Sequence, residues 1–403
     1  MNPIGRWLED AKTPPDLRHV DTCDGLRAMA VMIVAWFHIW QQSWLFPGLD
    51  LFGRTISFDP LARSGYIWVD IMILISGFCL YLPWARRRYA GGSVPAVRDF
   101  YARRLMRIHP SYLLTLAIMF AVALATHAYY TNEHMLRDIL SHLTYTHMFF
   151  YDAYYASNLG GALWTLALEM QFYLVFPLLA RAFYKLPATT FAVMTASALA
   201  FRGWVGVTFE DVSMYFNQLP SYLDTFALGM AAAAVHAYLA QKKPNALTKL
   251  LCSAGSVLML ALLWQVVRRQ AANPDVTAIR FGQMSNRLAM GLLGGSLLVL
   301  SANAGLVFRS VLANPVTRFI SSVSLQFYIW HQTIAVWLLK YRVIPSEYEN
   351  PNWEGDERWQ LMYTIACFGV SLLAAAVLTY GFERPVARAL QRRYDARKKK
   401  KGE

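Results

Sequence analysis

The sequence specifies an all-α integral membrane protein, threaded through a bilayer by about ten helices with both termini cytoplasmic, and three observations lead there. Of the 403 residues, 56% are hydrophobic and only 16% charged, so there is more apolar surface than one water-soluble core takes up. That surface is gathered into ten runs of spanning length. The formal net charge of +13 sits in bursts between the runs, as the excess of Lys and Arg on cytoplasmic loops requires, and not along a stripe that would suit nucleic acid.

In chain order the runs cover about 25 to 44, 65 to 83, 110 to 128, 160 to 184, 188 to 206, 218 to 240, 248 to 267, 284 to 302, 318 to 340 and 359 to 382. Residues 1–23, MNPIGRWLEDAKTPPDLRHVDTC, have no apolar h-region, so they read as a cytoplasmic N-terminal segment and not as a cleaved signal. Between the second and third runs stand Arg86, Arg87, Arg88, Arg98, Arg103, Arg104 and Arg107 against a single Asp99. The chain ends in a basic tail, residues 386–403. Both stretches belong on the cytoplasmic side. The connection from Tyr341 to Trp359 holds Glu347, Glu349, Glu354, Asp356 and Glu357 against Arg342 and Arg358, and so belongs outside. An even number of spans satisfies all of these, which describes a multi-pass protein of the inner or plasma membrane.

Several function classes lack support. No P-loop, dinucleotide fingerprint, nucleophile elbow or zinc-protease motif occurs. Cys23, Cys79, Cys252 and Cys367 fall in spans or at cytoplasmic ends, where neither a disulfide framework nor a metal site is expected.

Ionisable side chains inside spans cost about 2.5–3.5 kcal/mol each on insertion scales, so each one needs a reason. His38 lies well inside the first run, and Arg27 stands eleven residues earlier on nearly the same helix face, about 16 Å lower. Asp24 reads as the helix cap, with Gly25 easing the entry. An imidazole at that depth is suited to take a hydroxyl proton near neutral pH; the plainer alternative is a hydrogen bond to a neighbouring helix. In FYARRLMRIHP, Arg104 and Arg107 form an R-x-x-R pair on adjacent turns, able to hold a phosphate bidentately, although positive-inside topology also accounts for their charge. Glu169 in the fourth run is a carboxylate that orients a histidine, pairs with an arginine or lies at an interface, the last being least favoured by the cost of charge in lipid. Asp70, Asp224 and His331 read as structural polar contacts, and Glu383 as an ion-pair partner of Arg384.

These segments resemble the acyltransferase-3 family of multispan O-acyltransferases. The resemblance runs from Asp24 to about Pro385 through DGLRAMAVMIVAWFH, VDIMILISGF, FYARRLMRIHPSYLL, ALWTLALEMQFYLVFPLL, SLQFYIWHQTI and FERP. It implies a membrane domain over 24–385 in which His38 is the catalytic base, Glu169 a catalytic carboxylate, and Arg27, Arg104 and Arg107 hold the acyl donor. That donor is an acyl-CoA, most simply acetyl-CoA, and the acceptor a hydroxyl of a cell-envelope glycan or similar molecule. The family commonly has two adjacent carboxylates where this chain has Glu169 and Met170, and often an aromatic residue at His109. A transporter or flippase of lipid-linked sugars is the rival reading, which would favour broken helices and repeated halves that the sequence does not clearly display; a membrane scaffold, the third, gives no reason for Arg27 and His38 to share a face.

Overall fold

The computed structural model describes residues 20–242 and 244–400; residues 1–19, most of the expected N-terminal segment, and 401–403 lie outside the described residues. The long helices are α1 (Asp21–Ser43), α3 (Val69–Tyr89), α4 (Val97–Ala125), α7 (Trp164–Lys185), α8 (Pro187–Thr208), α10 (Leu223–Leu239), α11 (Ala246–Ala271), α12 (Val276–Ala302), α14 (Pro315–Lys340), α15 (Glu357–Leu378) and α16 (Arg384–Lys400). Short helices α2 (Asp59–Ser64), α5 (Asn132–Leu143), α6 (Tyr151–Tyr155), α9 (Ser213–Phe216) and α13 (Leu306–Leu312) lie in the connections. A two-stranded antiparallel hairpin, β1 (Gly48–Leu51) and β2 (Arg54–Ser57), follows α1.

Each apolar run coincides with one long helix, and not all of these helices are equally apolar. Among the described residues seven helices are long and apolar enough to cross a bilayer: α1, α2 to α3, α4, α7 with its lead-in, α8, α11, and α15 to α16. The remaining three are α10, with 17 residues, and α12 and α14, which carry buried polar groups such as Arg287, Gln326 and His331. A helix surrounded by other helices has no lipid to satisfy, so it can be shorter and more polar.

Two boundaries differ from the expectation in ways that matter for the site. First, α1 begins at Asp21, so Asp24 is not a cap: it lies in the first turn, where a carboxylate favours the helix dipole, and it accepts from Ser321 Oγ at 2.9 Å. Second, the basic tail is not a loose end. Helix α15 passes through a single π turn, Thr379–Glu383, straight into α16. There Tyr394 and Lys398 donate to the two oxygens of Asp99 at 2.7 and 2.8 Å, clasping the first turn of α4. The start of α14 is fixed by its own sequence: Asn314 Oδ1 accepts from the Val316 and Thr317 amides, the Asn314 backbone N–H donates to Thr317 Oγ1, and Pro315 occupies the first helical position.

Close approach between backbones holds the centre. A Cβ on Gly77 of α3 would stand 2.6 Å from the Phe226 carbonyl of α10, and one on Gly229 would collide with the Leu74 carbonyl, so these helices meet where only glycine fits. Behind them sits a buried polar network. Arg202 binds Asp224 through both guanidinium nitrogens, at 3.0 and 2.5 Å, while Arg287 reaches Asp70 at 3.1 Å and Ser221 Oγ at 2.6 Å. Arg287 also stacks over the Tyr222 ring at 3.7 Å. The structural reading of Asp70 and Asp224 therefore acquires partners, Arg202 and Arg287, that the sequence reading did not single out.

Candidate active site

Four of the five expected site residues line one cavity. Arg27 of α1, Arg104 and Arg107 of α4, and Glu169 of α7 surround about 120 Å³ of free space, with Ser76 and Cys79 of α3, Tyr173 of α7 and Tyr328 of α14 completing the polar wall. Helix α4 starts at Val97, thirteen residues before the apolar run, which is why the R-x-x-R pair is helical and its guanidiniums lie one turn apart. Pro110 sits inside this helix without ending it.

The charge in the cavity is unbalanced: three guanidiniums face one carboxylate. Arg27 is held by Asp24 at 3.8 Å and donates to Cys79 Sγ at 3.4 Å. Arg104 has no carboxylate partner among the described residues; its guanidinium lies over the rings of Phe100 and Tyr173, at 5.8 and 5.6 Å. An anionic guest would find donors already positioned for it.

Glu169 does neither of the things expected of it. Its Oε1 accepts from Ser76 Oγ at 2.7 Å and Tyr173 OH at 2.6 Å, and among the described residues it makes no contact with His38 and no ion pair. It shares the cavity with the arginines but not the neighbourhood of the imidazole. Tyr173 was readable in the sequence as the residue one turn after Glu169; Ser76, ninety-three positions away, was not.

His38 is not among the residues that line this cavity. Its Nδ1 is 3.0 Å from Gln41 Oε1, its ring is 5.0 Å from Phe37, and it is half-buried on α1. With the Gln41 carbonyl accepting from Nδ1–H, the lone pair resides on Nε2. The ring of His331 lies 5.2 Å from that of His38. His331 is fully buried, its Nδ1 donates to the Tyr328 carbonyl at 2.7 Å, and among the described residues its Nε2 has no hydrogen-bond partner. Tyr328, which lines the cavity, packs 5.5 Å from His331, so a tyrosine and a histidine of α14 stand between the arginine cavity and His38. His331 was expected to be a structural contact; the structure places it as the neighbour of the candidate base.

Comparison with known proteins bears on the family. A candidate O-acetyltransferase of Staphylococcus aureus (strain COL) is 24% identical over 353 residues, covering 81% of this chain and 52% of that protein. Nodulation protein 10 of Rhizobium leguminosarum bv. viciae is 28% identical over 212 residues, 49% of this chain and 54% of that one. The peptidoglycan O-acetyltransferase OatA of Listeria monocytogenes is 21% identical over 338 residues, 79% and 49% respectively. The chain thus spans about half the length of the curated relatives it matches. No solved structure matches. The family described as the acyltransferase domain matches residues 21–381, from the first turn of α1 to the π turn after α15, and the chain belongs to that family.

Proposed function

We propose that this protein is a multi-pass O-acyltransferase of the cell membrane, with ten spans and cytoplasmic termini, that moves an acyl group, most simply acetyl, from acyl-CoA to a hydroxyl of a cell-envelope glycan. The observation that carries the reading is the single cavity joining Arg27 to the R-x-x-R pair, which lie on helices far apart in sequence. In this reading the donor phosphates meet the arginines and the uncharged arm extends past Tyr328 toward His38. Nε2 of His38 takes the proton of the acceptor hydroxyl, whose oxygen attacks the thioester carbonyl. The C–O bond forms, the C–S bond breaks, and the imidazolium returns its proton to the leaving thiolate. Names of the relatives support the acceptor class: one is a peptidoglycan O-acetyltransferase. Purified protein incubated with acetyl-CoA should release free thiol at a rate that depends on His38; a protein that moves sugar but consumes no donor would be the flippase instead.

Two further outcomes are expected. Replacing Arg104 or Arg107 with Lys keeps the charge but loses the planar fork, so donor affinity should fall about tenfold or more, as isothermal calorimetry on the solubilised protein would show. Unchanged affinity in both variants would leave the pair a purely topological role. For orientation, a cysteine introduced between Arg86 and Arg98 should resist an impermeant thiol reagent in intact cells, and one near Asn350 should react. The reverse pattern would invert the topology and remove the cytoplasmic donor.

A further inference from the structure

A second cavity adjoins the first. Its walls are Pro83 and Trp84 at the end of α3, Pro95 before α4, Phe100 and Arg103 on α4, and Pro177 on α7, and it shares Leu80 and Arg104 with the arginine cavity. Pro95 and Arg103 are exposed, so it opens at the surface, while Phe176 and Pro177 close its floor. Arg104 marks the junction: one of the rings beneath its guanidinium, Phe100, belongs to the outer cavity and the other, Tyr173, to the inner one. Phe100 is itself braced against Phe176 at 5.1 Å, and Trp84 against Tyr184 at 5.8 Å, so both aromatic walls are set in place.

The two cavities differ in chemistry. The inner one gathers three guanidiniums and a carboxylate among aliphatic side chains; the outer one offers three aromatic rings, three prolines and one further guanidinium, Arg103, at the rim. A ligand that is aromatic at one end, phosphorylated next to it and neutral beyond fits this succession.

We infer that the outer cavity is the site of the adenosine 3′-phosphate head of a CoA-type donor: the adenine stacks on Trp84 and Phe100, Arg103 meets the 3′-phosphate, and the diphosphate crosses at Arg104 into the inner cavity. This rests on the acyl-CoA reading above and names the residues that would choose CoA over a simpler thioester. It also gives Arg103, exposed at the rim of an apolar wall, a part in binding.

The test is binding of CoA, 3′-dephospho-CoA and pantetheine to the full chain in lipid nanodiscs, measured by calorimetry. Wild type should bind CoA more tightly than 3′-dephospho-CoA, and Arg103→Gln should bind the two alike. Trp84→Leu should weaken CoA about tenfold, the loss of one base–aromatic stack, while Trp84→Phe restores most of it. Thermal melting of each variant confirms that it is folded, and the Phe variant keeps the test decisive if the Leu variant is not. If wild type binds CoA but does not distinguish 3′-dephospho-CoA, or if Trp84→Leu binds CoA as wild type does, the outer cavity is not the nucleotide site. If wild type binds no CoA at all, the acyl-CoA reading itself falls, and the subsite with it.

Discussion

His38→Ala should reduce acyl transfer by a factor of about 100 to 10,000, the range set by removing a positioned general base, and should do so without weakening donor binding. The separation follows from the geometry: the arginines that meet the donor line the cavity, whereas His38 touches Gln41, Phe37 and His331 and does not line it. Thiol release from acetyl-CoA and calorimetry on the same preparation measure the two quantities. A fully active His38→Ala protein would remove the imidazole from the mechanism. Equal loss of binding and turnover would instead move His38 into the donor site. Complete loss, beyond what a base supplies, would favour an acyl-imidazole intermediate, in which Nε2 is the nucleophile that displaces the thiolate.

Asp224→Ala should be the most damaging substitution outside the cavity. Arg202 would lose both of its carboxylate bonds while staying at 5% exposure, and an uncompensated buried charge costs about 3–5 kcal/mol. Arg202 also donates to the Ser221 carbonyl at 2.8 Å, and Ser221 receives Arg287, so the loss would spread to the Asp70 pair. Lower yield and a lower melting temperature in detergent are the expected results, with donor affinity per folded molecule unchanged. Removing both charges, Arg202→Met with Asp224→Leu, should recover much of the stability, because two neutral side chains need no partner. A single variant that melts as wild type does would show that the pair carries no structural weight.

Much of this architecture was legible because membrane insertion is written in composition. Ten apolar runs marked ten helices, and Arg27, Arg104, Arg107 and Glu169 stood out because charge near lipid is costly. Reading cost alone, however, does not say who meets whom. Glu169 looked like a partner for a histidine or an arginine, yet Ser76 and Tyr173 satisfy it, and hydroxyls are too common in helices to flag. His331 was visible but its placement 5.2 Å from His38 depends on how α14 packs on α1, which no local pattern encodes. Arg202 and Arg287 escaped notice although they lie within runs, and Arg287, buried on α12, lowers the apolarity of that helix. A hydropathy pattern alone also does not distinguish a helix wetted by lipid from one enclosed by its neighbours, so seven helices among the described residues, fewer than the ten apolar runs, meet the length and apolarity that a lipid-facing span needs.

The clasp between α16 and the first turn of α4 sets an order of events in the protein's birth. Asp99 leaves the ribosome early, but Lys398, which holds it, follows 299 residues later. At translation rates of about 5–20 residues per second, that interval is about 15 to 60 s. Throughout it, the helix bearing Arg104 and Arg107 has emerged without its final strap. Only when Tyr394 and Lys398 have emerged can the strap close on Asp99, so a chain terminated before Tyr394 would insert its helices and lack that strap.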